Sequence, residues 1–223
     1  MPVFLARYNR GMEEPASQVP ASGALVSQAP VPAEQRRSAP GRLELVREFI
    51  NTADIEHGED KWGDLDALRA WLRKRELIGA RERLGAGDLE LALGARESLR
   101  TVLEDRDRGA GVDARAIRSL NAAGSGALLR VAFDHDGAPA LEPAATGLSR
   151  ALGELFAIVE LAAADGSWSR LKVCADHGCR WAFYDQSKNR SRSWCNMAVC
   201  GNRAKARQYR LRHRSASPEA ETG

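Results

Sequence analysis

All four cysteines of this 223-residue chain lie between Cys174 and Cys200. They form two Cys-x4-Cys pairs, Cys174/Cys179 and Cys195/Cys200, separated by fifteen residues. Two close thiol pairs joined by a short segment suit one tetrahedral metal ion, because each pair can wrap round the ion while the middle supplies a scaffold. Four cysteines make a closed structural site with no open position for a substrate. The bonds can contribute on the order of 10 kcal/mol to folding, far more than so short a segment gains by burial. The expectation is one structural Zn2+ held by Cys174, Cys179, Cys195 and Cys200, in a module that unfolds when the metal is stripped. His177, inside the first pair, is a rival ligand, although two cysteine pairs already saturate one ion.

Charge gives that module a direction. Residues 166–214 hold twelve Lys and Arg against two acids, Asp176 and Asp185, a net +10; the whole chain is +3, so the remainder is −7. An acidic body joined to a basic module implies a polyanionic partner for the module. The run GNRAKARQYRLRHR after Cys200 is rich in helix formers and free of proline. On a helix, Arg203, Arg207, Arg210 and Arg214 fall at i, i+4, i+7 and i+11, one stripe able to track phosphates. Asn202 or one of these arginines can reach a base edge. Between the thiol pairs, Trp181–Tyr184 and Arg192–Trp194 read as the arms of a hairpin with a polar Gln-Ser-Lys-Asn turn, and Lys188, Arg190 and Arg192 are further candidate nucleic-acid contacts. DNA is the expected partner, with RNA or an acidic protein as the alternative. Knuckle, hairpin and ligand-bearing helix in that order give a treble-clef-like module.

Ahead of it the hydrophobic periodicity is mostly helical. Residues 1 to about 40 carry six of the nine prolines and little that could be buried, so 1–41 is expected to be a disordered extension, as is the tail 215–223. Leu43, Val46, Phe49 and Ile50 mark a first amphipathic helix, and the loop IEHGEDKWG follows. Asp64 caps a second helix with Leu65, Leu68, Trp71 and Leu72; Asp88 caps a third with Leu91, Ala95, Leu99, Val102 and Leu103; Asp113 opens a short fourth. Ala127–Phe133 alternates like a strand, and Asp136-Gly137 supplies a tight turn before APALEP, which predicts a β-hairpin. Leu148 to Ala163 repeats at spacings of three and four through the clearest helix of the chain, and Asp165-Gly166-Ser167 is the expected hinge. The fold class is therefore mainly α with a small β-hairpin (α+β): a helical domain over 42–165, then a zinc module over 166–214.

Other residues invite functional readings. Asp54, Glu56, His57, Glu59 and Asp60 form an acidic loop that can be a metal or basic-ligand site, or simply solvated. Arg96 and Arg100, one turn apart, can grip an anion or be ordinary surface cations. No catalytic constellation emerges: there is no G-x-S-x-G, no Walker loop, no G-x-G-x-x-G and no H-E-x-x-H, and four histidines are scattered over the chain. An enzyme is not expected. No run of about 18 apolar residues exists, and MPVFLARYNR is too short for a signal-peptide core, so the expected location is a reducing cytoplasm.

The stretch from the first thiol pair through RWAFYDQSKNRSRSWC to CGNRAKARQYRLRHR resembles the CGNR zinc finger, named for residues found here as Cys200-Gly201-Asn202-Arg203. The tract Asp185 to Ser191 also follows that pattern. Residues from Leu43 to about Ala164, with FINTAD at 49–54 and ARESLR at 95–100, are similar to an ABATE domain. The resemblance implies a bacterial transcription regulator whose finger binds DNA and whose N-terminal domain senses an effector. It carries the zinc ligands onto the same four cysteines.

Overall fold

A computed structural model describes residues 38–109 and 111–214. The expected extension 1–41 falls outside these except for its last four residues, and the tail 215–223 falls outside them entirely. Six α-helices, a 3-10 turn, a π-turn and three two-stranded antiparallel sheets make up the described chain.

Helix α1 (Leu43–Ile50) buries Leu43, Val46, Phe49 and Ile50, as its periodicity requires. Helix α2 (Leu65–Lys74) starts at Asp64, whose side chain accepts a hydrogen bond from the Ala67 amide at 2.8 Å. Between them the expected loop contains two short strands, β1 (Ala53–Asp54) and β2 (Glu59–Asp60). Trp62, only 2% exposed, anchors that segment. Its ring meets Phe49 and Trp71 edge-on at 5.0 and 5.4 Å, an aromatic trio that fastens the loop to α1 and α2.

Helix α3 (Asp88–Arg108) is the longest element. It stops at Gly109, which takes the left-handed conformation (φ 66°) that a residue with a Cβ adopts at a cost. Asp88 is its first helical residue and not its cap; the Asp88 carboxylate instead accepts from the Gly85 amide. Arg96 and Arg100 are neither surface cations nor open to an anion. They are 4% and 0% exposed. Arg100 donates to the carbonyls of Ile50 and Ala53, and Arg96 grips Asp60 with two hydrogen bonds of 2.8 and 2.6 Å. Together they hold the chain between α1 and β2 from behind.

Helix α4 (Ala114–Gly124) packs on α3, and the hairpin β3 (Leu129–Phe133) and β4 (Pro139–Pro143) follows as expected. Helix α5 (Gly147–Ala164) supplies much of the common core through Leu148, Leu152, Leu155 and Ile158. At Gly166 (φ 80°) the chain turns into a 3-10 turn, Ser167–Arg170, and then into β5 (Leu171–Val173). Strand β5 pairs with β6 (Ala182–Tyr184), Leu171 opposite Tyr184 and Val173 opposite Ala182.

That pairing differs from the hairpin expected between the thiol pairs. Its first arm is a strand, but its partner lies upstream of Cys174, and no strand forms at Arg192–Trp194. The reason is burial. Leu171, Val173 and Ala182 belong to the same core as α1 and α5, which no residue of 192–194 joins. The Arg192 stretch is fixed instead by its amide, which donates to the Asp185 carboxylate at 2.9 Å.

Candidate metal centre and nucleic-acid face

Strand β5 leads directly into Cys174, and a tight turn brings Cys179 back beside it. The Asp176 carbonyl accepts from the amides of Cys179 and Arg180, at 2.8 and 3.0 Å, and Arg180 takes a left-handed backbone (φ 48°) to close the turn. The second pair is built on a π-turn, Met197–Gly201, capped by the Asn196 side chain, which accepts from the Ala198 amide at 3.0 Å. This turn runs directly into helix α6 (Asn202–Arg214), so Cys200 sits at the helix start.

The four sulfurs come together, each within 4.8 Å of the others, and all four residues are buried. None is in a disulfide. A tetrahedron of about 2.3 Å metal–sulfur bonds separates its sulfurs by about 3.8 Å. Cys179 and Cys195 lie 3.6 Å apart and Cys195 and Cys200 lie 3.8 Å apart, so the donor set fits one zinc ion. Hydrogen bonds from Cys179 and Cys195 push the Cys174 thiol far down in pKa, and sharing hydrogen with Cys174 pushes those two up. Such a set releases protons when a cation enters. Phe183 is fully buried beside the sulfurs, with Trp181 and Trp194 packed round them. His177 is outside the set: it is exposed, with its Nδ1 3.2 Å from an Arg108 guanidinium nitrogen.

The tetrapeptide Cys200-Gly201-Asn202-Arg203, where the π-turn passes into α6, has a task for every residue. Cys200 is a candidate ligand. A Cβ at Gly201 would overlap the Met197 thioether. Asn202 donates from Nδ2 to the Ala198 carbonyl at 2.9 Å, tying α6 to the turn. Arg203 sets its guanidinium among a sulfur and two carboxylates, with Nη2 3.3 Å from Cys200 Sγ, Nε 2.9 Å from Asp176 and Nη1 2.6 Å from Glu56. Next along the stripe, Arg207 donates to the other oxygen of Asp176 at 3.0 Å. Arg210 is exposed, and Arg214 is the last residue of the helix. Lys188, Arg190 and Arg192 are exposed on the loop that follows β6.

Asp185 holds that loop. Its Oδ1 accepts from the Ser187 amide and hydroxyl at 2.9 and 2.6 Å, and its Oδ2 from Lys172 Nζ and the Arg192 amide at 3.0 and 2.9 Å. Burial would raise this carboxyl, but the bonds from Ser187, Lys172 and Arg192 overcome it and hold the pKa at about 2. Sequence reasoning gave Asp176 and Asp185 no role, and it placed Glu56 in an acidic loop open to a basic ligand without naming Arg203 as that partner. The signal for the first two was their solitude, since they are the only acids in a +10 segment, and both point inward, 2% and 0% exposed.

Three further contacts join finger and helical domain. Asn51 and Ala182 exchange two hydrogen bonds of 2.8 Å, Arg180 pairs with Glu104 at 2.8 Å, and Arg106 donates to the carbonyl of Trp168 at 3.0 Å.

Four buried thiols at tetrahedral spacing, closed by a basic helix and seated on a helical domain, define a protein of the zinc-finger class. Residues 170–213 match the CGNR zinc finger model, and residues 43–166 match the ABATE model, described as "Putative stress-induced transcription regulator". The second match covers more than half of the chain, which belongs to the ABATE family and ends in a CGNR finger. Neither family is an enzyme family. No curated protein matches the chain. Among the described residues no helix is long and apolar enough to cross a membrane.

Proposed function

We propose that this protein is a cytoplasmic DNA-binding transcription regulator, in which residues 166–214 form the output module and residues 42–165 sense an effector. Zinc held by Cys174, Cys179, Cys195 and Cys200 is structural. The cations of the loop, Lys188, Arg190 and Arg192, and of α6, Arg203, Arg207, Arg210 and Arg214, contact phosphates, with Asn202 at the helix start.

One observation carries the reading. The two acids of the finger are both buried, so no carboxylate of the segment reaches its surface beside the exposed Lys188, Arg190, Arg192, Lys205 and Arg210. A surface of one sign is the footprint of a polyanion partner. Double-stranded DNA is favoured over single strands because Trp181 and Trp194 pack on the thiol cluster and Tyr184 on the core, which leaves these rings poor stacking platforms. Sensing is supported by an apolar cleft of about 530 Å³ between α3, α4 and α5, lined by Leu99, Ile117, Leu120, Phe156, Val159 and Trp168.

Duplex binding by the zinc-loaded protein tests the proposal. Neutralising about 4–6 phosphates gives a slope of log K against log salt of about −4 to −5. Undetectable or salt-insensitive binding refutes DNA recognition, and preference for structured RNA in competition moves the module to an RNA partner.

A further inference from the structure

The guanidinium of Arg203 has two kinds of acceptor neighbour. Asp176 and Cys200 come from the finger itself and are buried, so they travel with Arg203 wherever the finger goes. Glu56 comes from the helical domain, 147 residues away in sequence, and meets Nη1 at 2.6 Å. The side chains of this second pair are 39% and 29% exposed. A carboxylate of another domain therefore sits against the outward nitrogen of an arginine, which is where a phosphate oxygen would bind.

Glu56 does not arrive there by chance motion of a surface loop. Arg100 holds the carbonyls of Ile50 and Ala53, and Arg96 clamps Asp60. The His57 amide and ring close on Asp54 at 3.2 and 2.9 Å. The segment is thus fastened on both sides of Glu56 by arginines buried in α3. A preorganised acid on an exchangeable partner is the arrangement of an internal competitor.

We infer that Glu56 is an autoinhibitory phosphate mimic: the N-terminal domain occupies Arg203 with its own carboxylate, and DNA phosphate must displace Glu56 to gain that contact. The inference rests on the proposed nucleic-acid reading and deepens it, because it makes the acidic loop of the sensing domain a brake on the finger. An exposed pair of this kind is worth a few-fold in a competing equilibrium.

The test uses the full zinc-loaded chain with Glu56→Gln and Glu59→Gln. Glu59 lies on the same loop, so its substitution removes the same charge without touching Arg203. Binding is measured to duplex DNA by fluorescence anisotropy and to heparin by the salt needed for elution. Expected is roughly 3- to 10-fold tighter DNA binding and later heparin elution for Glu56→Gln, with Glu59→Gln within about 1.5-fold of wild type. Equal affinity of Glu56→Gln and wild type for DNA that both bind overturns the brake and leaves the DNA reading intact. An equal gain from Glu59→Gln also overturns it, since general charge then accounts for the effect. A heparin shift specific to Glu56→Gln with no DNA binding by any variant supports the brake and removes DNA as the partner. Failure of every variant to bind either polyanion overturns both. Zinc content and the thermal midpoint confirm that each variant is folded.

Discussion

Replacing Asp185 by asparagine removes the one buried charge that organises the basic loop. The asparagine oxygen can still accept from Ser187, but its amide group then faces two donors, Lys172 Nζ and the Arg192 amide, which now meet the carboxylate at 3.0 and 2.9 Å. Lys172, whose side chain is 13% exposed, loses its counter-charge. The cost follows by two routes. The gap between the ordinary carboxyl value of 3.8 and about 2 converts, at about 1.36 kcal/mol per pH unit, to about 2 kcal/mol. Loss of hydrogen bonds to a charged acceptor gives about 1.5–3 kcal/mol. With a urea m-value of roughly 2 kcal/mol/M, the midpoint should fall by about 1 M in saturating zinc, followed by tryptophan fluorescence. A folded-state pKa below the unfolded one contributes its full stability above the ordinary value and loses it as pH falls through about 2. The difference between wild type and variant should therefore be the same at pH 8 and pH 6. A midpoint change under about 0.2 M with zinc content unaltered, or a difference that disappears between those two pH values, refutes the reasoning.

Three further perturbations probe the other joints. Zinc analysis should find one ion per chain, and Cys195→Ser should abolish it together with amide-exchange protection across 174–200; full protection in metal-free wild type would refute the structural role. Asn51→Ala breaks both 2.8 Å bonds to Ala182 and should cost about 2–3 kcal/mol by urea denaturation, whereas a neutral result would mean that the finger is not fastened there. Arg100→Met leaves the carbonyls of Ile50 and Ala53 without their buried donor and should lower stability by about 2–4 kcal/mol, read from the circular-dichroism melting curve; a change below about 0.5 kcal/mol would show that water replaces the guanidinium.

What the sequence disclosed and what it concealed divide along the range of the forces. The thiol pairs were legible because a metal site imposes its own spacing. Helices α1, α2 and α5 were legible because burial on one face writes a period of three and four into residues such as Leu43, Val46 and Phe49. Asp64 announced its helix by a bond to a residue three positions on. The strand partner of Ala182 was hidden, because Val173 is chosen by a core that includes residues more than a hundred positions away. Arg96 and Arg100 were misread for the same reason: a charge on a helix looks solvated until the carbonyls of Ile50 and Ala53 are seen to need it. The four thiols were placed from spacing alone, but Asp176 and Glu56, which engage Arg203, become visible only once two remote segments meet.

The core that Leu171, Val173 and Ala182 share with α1 and α5 has a consequence for how such a chain can be taken apart. A fragment ending at residue 166 would keep every helix of the ABATE region, yet would open a trench where the ribbon β5–β6 had lain. A finger cut free at residue 170 would carry away a ribbon with a greasy underside and no bed for it. The two regions are recognised as separate families, but here they are not interchangeable cassettes: a finger grafted from another relative would have to bring a ribbon whose inner face was shaped to this particular groove.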